Sequence, residues 1–347
     1  MQLPSRVGKY ELQEFLGGGM SHVYRAQDTV LGRTVAVKIL TEQGCADAEA
    51  KARFLQEARL ASGISHENII SVYDFGEEQG KPYIVMEFLR GESLREALRS
   101  GRAGDARNRL LLAVQTAKAL DYIHQKKIIH RDIKPENLQV DQSGRIKLMD
   151  FGIAKSEGMQ LTRAGFTLGT PYYMAPEQVL GQQVTAAVDV YAFGILLFEM
   201  LTGLKPINGE SIDKIFNQIL YEPLNLEPLR QAGVAEPVVQ IVARCTAKKP
   251  QDRYAKLWDV AVDIERFLGL TPAAPRPATG TAAMPSASHP VPAASATRPA
   301  PVVDESLPAF LRALPPPLQS QTGLMILVAV GVLLLILILY ALLSLVA

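Results

Sequence analysis

The stretch His130-Arg131-Asp132-Ile133-Lys134-Pro135-Glu136-Asn137, followed after a short strand-like segment by Asp150-Phe151-Gly152, constrains this chain more than any other feature. Three polar side chains stand there in a set order: Asp132, Asn137 five residues on, and Asp150. An aspartate beside an acceptor hydroxyl can orient it and take its proton, while an amide oxygen and a second carboxylate can hold Mg²⁺ against a triphosphate. A polar turn that merely capped a helix and opened a hairpin would not need all three groups in that order. The pattern points to in-line phosphoryl transfer, with Asp132 as base and Asn137 and Asp150 as metal ligands.

The rest of the chain is consistent with that chemistry. Its 347 residues carry a net charge of +1 and enough apolar side chains for one large domain with appendages. Near-neutrality, and the lack of a basic stretch to follow a phosphate backbone, argue against nucleic acid as the main partner. Two cysteines, Cys45 and Cys245, stand far apart in unlike contexts, which fits a reduced compartment. The first residues, MQLPSRVGKYEL, lack the apolar run of a signal peptide, so export of the folded part is not expected.

From Tyr10 to Leu40 the pattern predicts three strands joined by tight turns, and two more follow in IISVYDFG and PYIVMEFL. Between the first two lies Gly17-Gly18-Gly19-Met20-Ser21-His22-Val23, where glycines would let backbone amides approach phosphate. Such a run is as a rule only a turn. Residues 47–62 predict a helix stopped by Gly63, with Phe54, Ala58 and Ala61 on one face and Glu57 on the same face. A carboxylate there needs a cation, and Lys38, at the end of the apolar run Val35-Ala36-Val37, is the candidate. His66-Glu67-Asn68 begins like a zinc motif, but the second histidine would fall at Ile70. A second helix is predicted from about Arg107 to Lys127, with Leu111, Val114, Ala117, Leu120, Tyr122 and Ile123 on its apolar side.

With Val35-Ala36-Val37-Lys38, HRDIKPEN, Asp150-Phe151-Gly152, Gly169-Thr170-Pro171-Tyr172, Ala175-Pro176-Glu177, DVYAFG and KKPQDRY all present, residues 10 to 268 resemble the eukaryotic-type serine/threonine protein kinases. The wording GGMSHVYRA resembles bacterial members. The resemblance implies an α+β, two-lobed fold: a small antiparallel sheet lobe with one helix (about 10–89) and a large, mainly helical lobe (about 90–270), after a segment 1–9. It implies ATP with Mg²⁺, Mn²⁺ being an alternative, and protein serine and threonine hydroxyls as acceptors. Lys38, paired with Glu57, would bridge the α and β phosphates, with Gly17, Gly18, Gly19, Val23 and Ala36 around the nucleotide. Glu87 to Leu89 would give backbone hydrogen bonds to adenine, with Met86 as gatekeeper. Lys134 would contact the transferred phosphate, and Asp189 would support the catalytic-loop backbone. His130 would be packed, and Arg253 would pair with Glu177. Arg131 would pair with a phosphorylated loop residue, Thr162 or Thr167, and Thr170 would contact Asp132 and Lys134. Phosphorylation of one copy by another would bring two chains together.

Two positions depart from the family pattern. The glycine stretch is one residue short, with Ser21 where the third glycine is usual, and Gln139 replaces an apolar residue beneath the adenine. These departures support an alternative, a kinase-like scaffold at the membrane that does no chemistry. A P-loop enzyme is disfavoured, since no G-x-x-x-x-G-K-[ST] occurs.

After Leu270 the composition turns to Pro, Ala, Thr and Ser, and 12 of the 22 prolines fall in residues 271–322, which predicts an extended spacer. Residues 323–346 are aliphatic and uncharged. As a helix they would reach ~36 Å, enough for a hydrocarbon core of ~30 Å. Arg298 and Arg312 precede them, so a cytoplasmic domain tethered by its tail is expected.

Overall fold

Short segments of alternating apolar residues cannot bury both faces alone, and here they join in one six-stranded sheet of order β1-β2-β3-β4-β6-β5, antiparallel throughout. The strands are β1 (Arg6–Val7), β2 (Tyr10–Gly18), β3 (Ser21–Asp28), β4 (Arg33–Leu40), β5 (Val72–Glu78) and β6 (Lys81–Glu87). The structure, a computed structural model, describes residues 6–150 and 171–272. The expected activation-loop threonines Thr162, Thr167 and Thr170, the linker and the 323–346 segment lie outside the described residues. Among the described residues no helix is long and apolar enough to cross a membrane.

Period-two alternation along β4 sorts the small lobe into two cores. Val35, Val37 and Ile39 pack with Tyr10, Leu12 and Tyr24 on one face. Ala36 and Leu40 pack on the other with Phe54 and Ala58. The covering layer holds two helices where one was expected: α1 (Glu42–Ala46) precedes α2 (Ala48–Ser62). The cause is a pair of caps. Thr41 accepts the Gly44 amide, and Asp47 ends α1 while accepting the amides of Glu49 and Ala50 at the start of α2.

Beyond β6 the chain passes through residues 88–90 into β7 (Gly91–Ser93), α3 (Leu94–Ser100) and α4 (Ala106–Gln125). The strands β8 (Leu138–Asp141) and β9 (Ile146–Leu148) pair with β7 in the order β7-β8-β9. Then come α5 (Pro176–Val179), α6 (Ala187–Thr202), α7 (Ile212–Tyr221), α8 (Glu227–Gln231), α9 (Glu236–Cys245) and α10 (Leu257–Phe267). The apolar stripe expected on α4 is too narrow a description. Leu110, Leu112, Ala113, Thr116 and Ala119 are buried too, and Leu111 and Tyr122 are half-buried, because α4 runs between α6 and α10. Every residue of α6 from Val188 to Leu201 is buried. At Gly194 a Cβ would stand 2.6 Å from Cys245 Cβ, so only glycine lets α9 lie this close.

Arg253 makes the expected pair with Glu177, and the pair is two-pronged, Nη1 to Oε1 at 2.7 Å and Nη2 to Oε2 at 2.9 Å, out of solvent. It also donates to the carbonyls of Ala187, Ala247 and Lys248, so one guanidinium joins α5, the start of α6 and the α9–α10 connection. Arg253→Met leaves a buried carboxylate without a cation and is expected to lower the unfolding free energy by about 3–5 kcal/mol in urea melts. Arg230→Ala, which removes an exposed pair with Glu236, is expected to leave the melt unchanged.

Candidate active site

The alternation that splits the small lobe's core also aims Lys38. It shares the face of Ala36 and Leu40, toward α2, where Glu57 sits beside Ala58. Lys38 Nζ lies 3.0 Å from Glu57 Oε1 and 2.8 Å from Asp150 Oδ1, with 12% of the lysine side chain exposed. Burial alone would lower the ammonium's pKa, but Asp150 and then Glu57 outweigh it and hold it above its ordinary value. The two carboxylates share one cation unequally. Lys38 holds Asp150 below the usual carboxylate range, while burial pushes Glu57 up to about 7 against the pull of Lys38.

Lys38 and Asp150 open onto a cleft of about 260 Å³ between the lobes. Gly17, Val23, Ala36, Met86 and Glu87 line it from the sheet, Phe88 and Leu89 from the connection, and Glu136, Gln139 and Met149 from the large lobe. Gln139 thus faces the cleft from the large lobe, across from Ala36 and Val23 in the sheet. The Glu87 amide is already bonded to the Ser71 carbonyl at 2.9 Å. Of the backbone groups expected at that residue, only its carbonyl is left to offer an adenine edge.

The short glycine stretch is a tight hairpin of its own shape. Gly18 has φ +149°, and a Cβ there would meet the Ser21 carbonyl oxygen at 2.0 Å. The Met20 carbonyl accepts both the amide and the hydroxyl of Thr41, at 3.0 and 2.9 Å, which ties the tip to the cap of α1. Gly17 lines the cleft, Gly18 ends β2 opposite His22, and Gly19 and Met20 form the turn.

Below the cleft, the loop from His130 to Asn137 is held from inside. Asp189, in the first turn of α6 and fully buried, accepts the amides of His130 and Arg131 at 2.8 Å each and pairs with His124 Nε2 at 2.8 Å. Arg131 has φ +66°, the turn these bonds hold in place. His130 is buried, its ring nitrogen 3.1 Å from the Met149 carbonyl, and desolvation keeps its pKa low, as expected of a packed residue. Lys134 Nζ donates to Asp132 Oδ2 at 2.7 Å, and Asn137 Nδ2 donates to the same oxygen at 2.9 Å and to the Asp132 carbonyl at 2.7 Å. With its nitrogen committed, Asn137 has its amide oxygen for a ligand. That oxygen and the Asp150 carboxylate are hard donors that fit Mg²⁺ or Mn²⁺.

Two further interactions were missed in the sequence. Lys147 Nζ pairs with the Glu87 carboxylate at 2.9 Å, joining β9 to the end of β6. Arg95 in α3 bonds at once to Glu136, Glu199 and Tyr173. A signal existed for the second: Glu199 interrupts the apolar run ILLFEML, and a buried carboxylate calls for a cation.

A family model described as protein kinase domain matches residues 10–262. The chain is 39% identical over 260 residues to the serine/threonine-protein kinase PrkC of Bacillus subtilis, covering 74% of this chain and 40% of PrkC. It is 36% identical over 286 residues to the serine/threonine-protein kinase PknB of Mycobacterium tuberculosis, covering 80% and 46%. The match thus spans less than half the length of these curated relatives. Among solved structures, a variant of the Mycobacterium tuberculosis PknI kinase domain aligns with TM-score 0.61 and 27% identity, over 78% of this chain and all of that one.

Asp189 generates a pH prediction. Burial alone would raise its pKa, but the hydrogen bond and charge of His124 and the His130 amide keep it below its ordinary value. The folded state therefore binds fewer protons than the unfolded one in acid, and the stabilisation is lost as pH falls through that lowered value. Asp189→Asn, which loses one amide contact, is expected to melt lower by about 1–3 kcal/mol near neutrality. In melting curves the gap to wild type should begin to narrow below about pH 4 and close as the pH falls through the lowered value.

Proposed function

The chain belongs to the protein kinase family, and from that membership we propose that it transfers the γ-phosphate of ATP to serine and threonine hydroxyls of proteins. The observation that carries the proposal is the convergence of Lys38 on Glu57 and Asp150 at the wall of the cleft, with Asp132, Lys134 and Asn137 bonded together below it. Lys38 would hold the α and β phosphates, with Glu57 keeping the ammonium extended. Asp132 would align the acceptor hydroxyl and take its proton as the oxygen attacks the γ-phosphorus and the bond to ADP breaks. Lys134, already on Asp132, would offset the negative charge between that carboxylate and the incoming phosphate. Bound Mg²⁺ supplies charge neutralisation on the triphosphate, and Asn137 and Asp150 are the residues that would hold it.

The proposal extends to place and control. The uncharged aliphatic segment 323–346, preceded by Arg298 and Arg312, supports a domain tethered to a membrane on its cytoplasmic side. Arg131, beside Asp132, supports activation by phosphate on Thr162 or Thr167, with a second copy as donor, and Thr170 is assigned to the acceptor side of Asp132.

Incubated with Mg-ATP and casein, the full-length chain is expected to incorporate phosphate into serine and threonine. Asp132→Asn should lower the rate ~10²–10⁴-fold, and Asp150→Ala should abolish it. A full-length chain that incorporates none would defeat the kinase reading. The Thr162→Ala, Thr167→Ala double variant is expected to lose activation on preincubation with ATP, and full activation without either threonine would refute the control scheme.

A further inference from the structure

The side chain of Arg95 joins three places that have no sequence in common. A capping box fixes the start of α3, Ser93 accepting the Glu96 amide and Glu96 accepting the Ser93 amide, so Arg95 leaves the first turn in a set direction. Its Nε donates to Glu136 Oε1 at 2.9 Å, its Nη2 to the Tyr173 hydroxyl at 2.9 Å, and its Nη1 to Glu199. The Tyr173 hydroxyl in turn donates to Glu199. Glu136 lines the nucleotide cleft one residue before Asn137. Tyr173 lies three residues after Thr170, in the stretch that would meet the acceptor protein. Glu199 belongs to α6, the same buried helix whose Asp189 holds the catalytic loop.

Neutralising Glu199 does not by itself explain this arrangement. An ammonium would serve that carboxylate, the Tyr173 hydroxyl already has Glu199 as acceptor, and Glu136, with nearly half its side chain exposed, needs no buried cation. A planar guanidinium is the group that can reach all three in fixed directions. We propose that Arg95 is a positioning residue that sets the acceptor-side segment at Tyr173 relative to the nucleotide cleft at Glu136, using Glu199 as the common post. The proposal rests on the kinase reading for its consequence in catalysis.

The test is a double-mutant cycle in the full-length chain. Each of Glu136→Gln and Tyr173→Phe cuts one arm of the fork, and each is expected to lower kcat/KM for casein about tenfold, one charge-assisted hydrogen bond's worth. Together they should lower it about tenfold again in total, not a hundredfold, because both act through Arg95. In an Arg95→Lys background, which keeps a cation on Glu199 and hence the melting temperature, Glu136→Gln should become silent, and Tyr173→Phe should keep only the smaller effect of losing the hydroxyl's own bond to Glu199. Effects that multiply, or Arg95→Lys with wild-type kinetics, overturn the proposal. If the unaltered chain transfers no phosphate, the kinase reading fails separately, and the fork is judged by hydrogen exchange at residues 171–175 on adding Mg-ADP. A response in wild type that Arg95→Lys abolishes supports it, and no response, or one that persists in Arg95→Lys, overturns it.

Discussion

The large lobe depends on the desolvation of two carboxylates. Asp189 and Glu199 both lie on α6, whose residues from Val188 to Leu201 are out of solvent, and a carboxylate buried there needs hydrogen-bonding partners. Asp189 is satisfied by the amides of His130 and Arg131 and by His124, and Glu199 by Arg95 and Tyr173. Each carboxylate is thus neutralised by a segment that lines the site. The two stand ten residues apart on one helix, about 15 Å at the α-helical rise. The most deeply packed element of the protein is therefore also the element that sets the geometry of the loops above it, which leaves those loops no need for a hydrophobic core of their own.

In the small lobe the governing constraint is smaller in scale, one ammonium between two carboxylates. Asp150 takes the shorter contact and stays acidic, and Glu57 is left with a raised pKa. A triphosphate entering the cleft would compete for the same ammonium. Asp150 would then be released toward a metal ion, while Glu57, on the helix behind, would remain the fixed partner. Lys38, with little of its side chain exposed, is thus not left unpaired, since Glu57 and Asp150 both meet its ammonium.

Much of this was legible because the informative residues break a local pattern. Lys38 interrupts an apolar strand, Glu57 sits on an apolar helix face, and Asp132, Asn137 and Asp150 keep a fixed order, so each asks for a partner that only the site can supply. The extra helix α1 was hidden by its length, since five residues give no periodicity and only the caps at Thr41 and Asp47 mark it. The burial of α4 on nearly all sides was hidden because the apolar stripe read from the sequence gave only one face. Lys147 and Arg95 look like ordinary surface cations in sequence, and their roles follow from tertiary neighbours far along the chain, at Glu87 and Glu199.

The one-residue-short glycine turn shows how a departure from a pattern can be absorbed. A longer glycine loop is a flexible chain that a nucleotide must order on binding, at a cost in conformational entropy. Here Gly18 takes a conformation closed to other residues, and both polar groups of Thr41 hold the Met20 carbonyl, so the protein itself orders the turn. Thr41 is also the cap of α1, which leads through Asp47 into α2 and Glu57. The roof of the cleft and the carboxylate that steadies Lys38 are therefore consecutive parts of one braced segment. A shift of α2 would be felt at the glycine turn, through Thr41, and at Lys38, through Glu57, together.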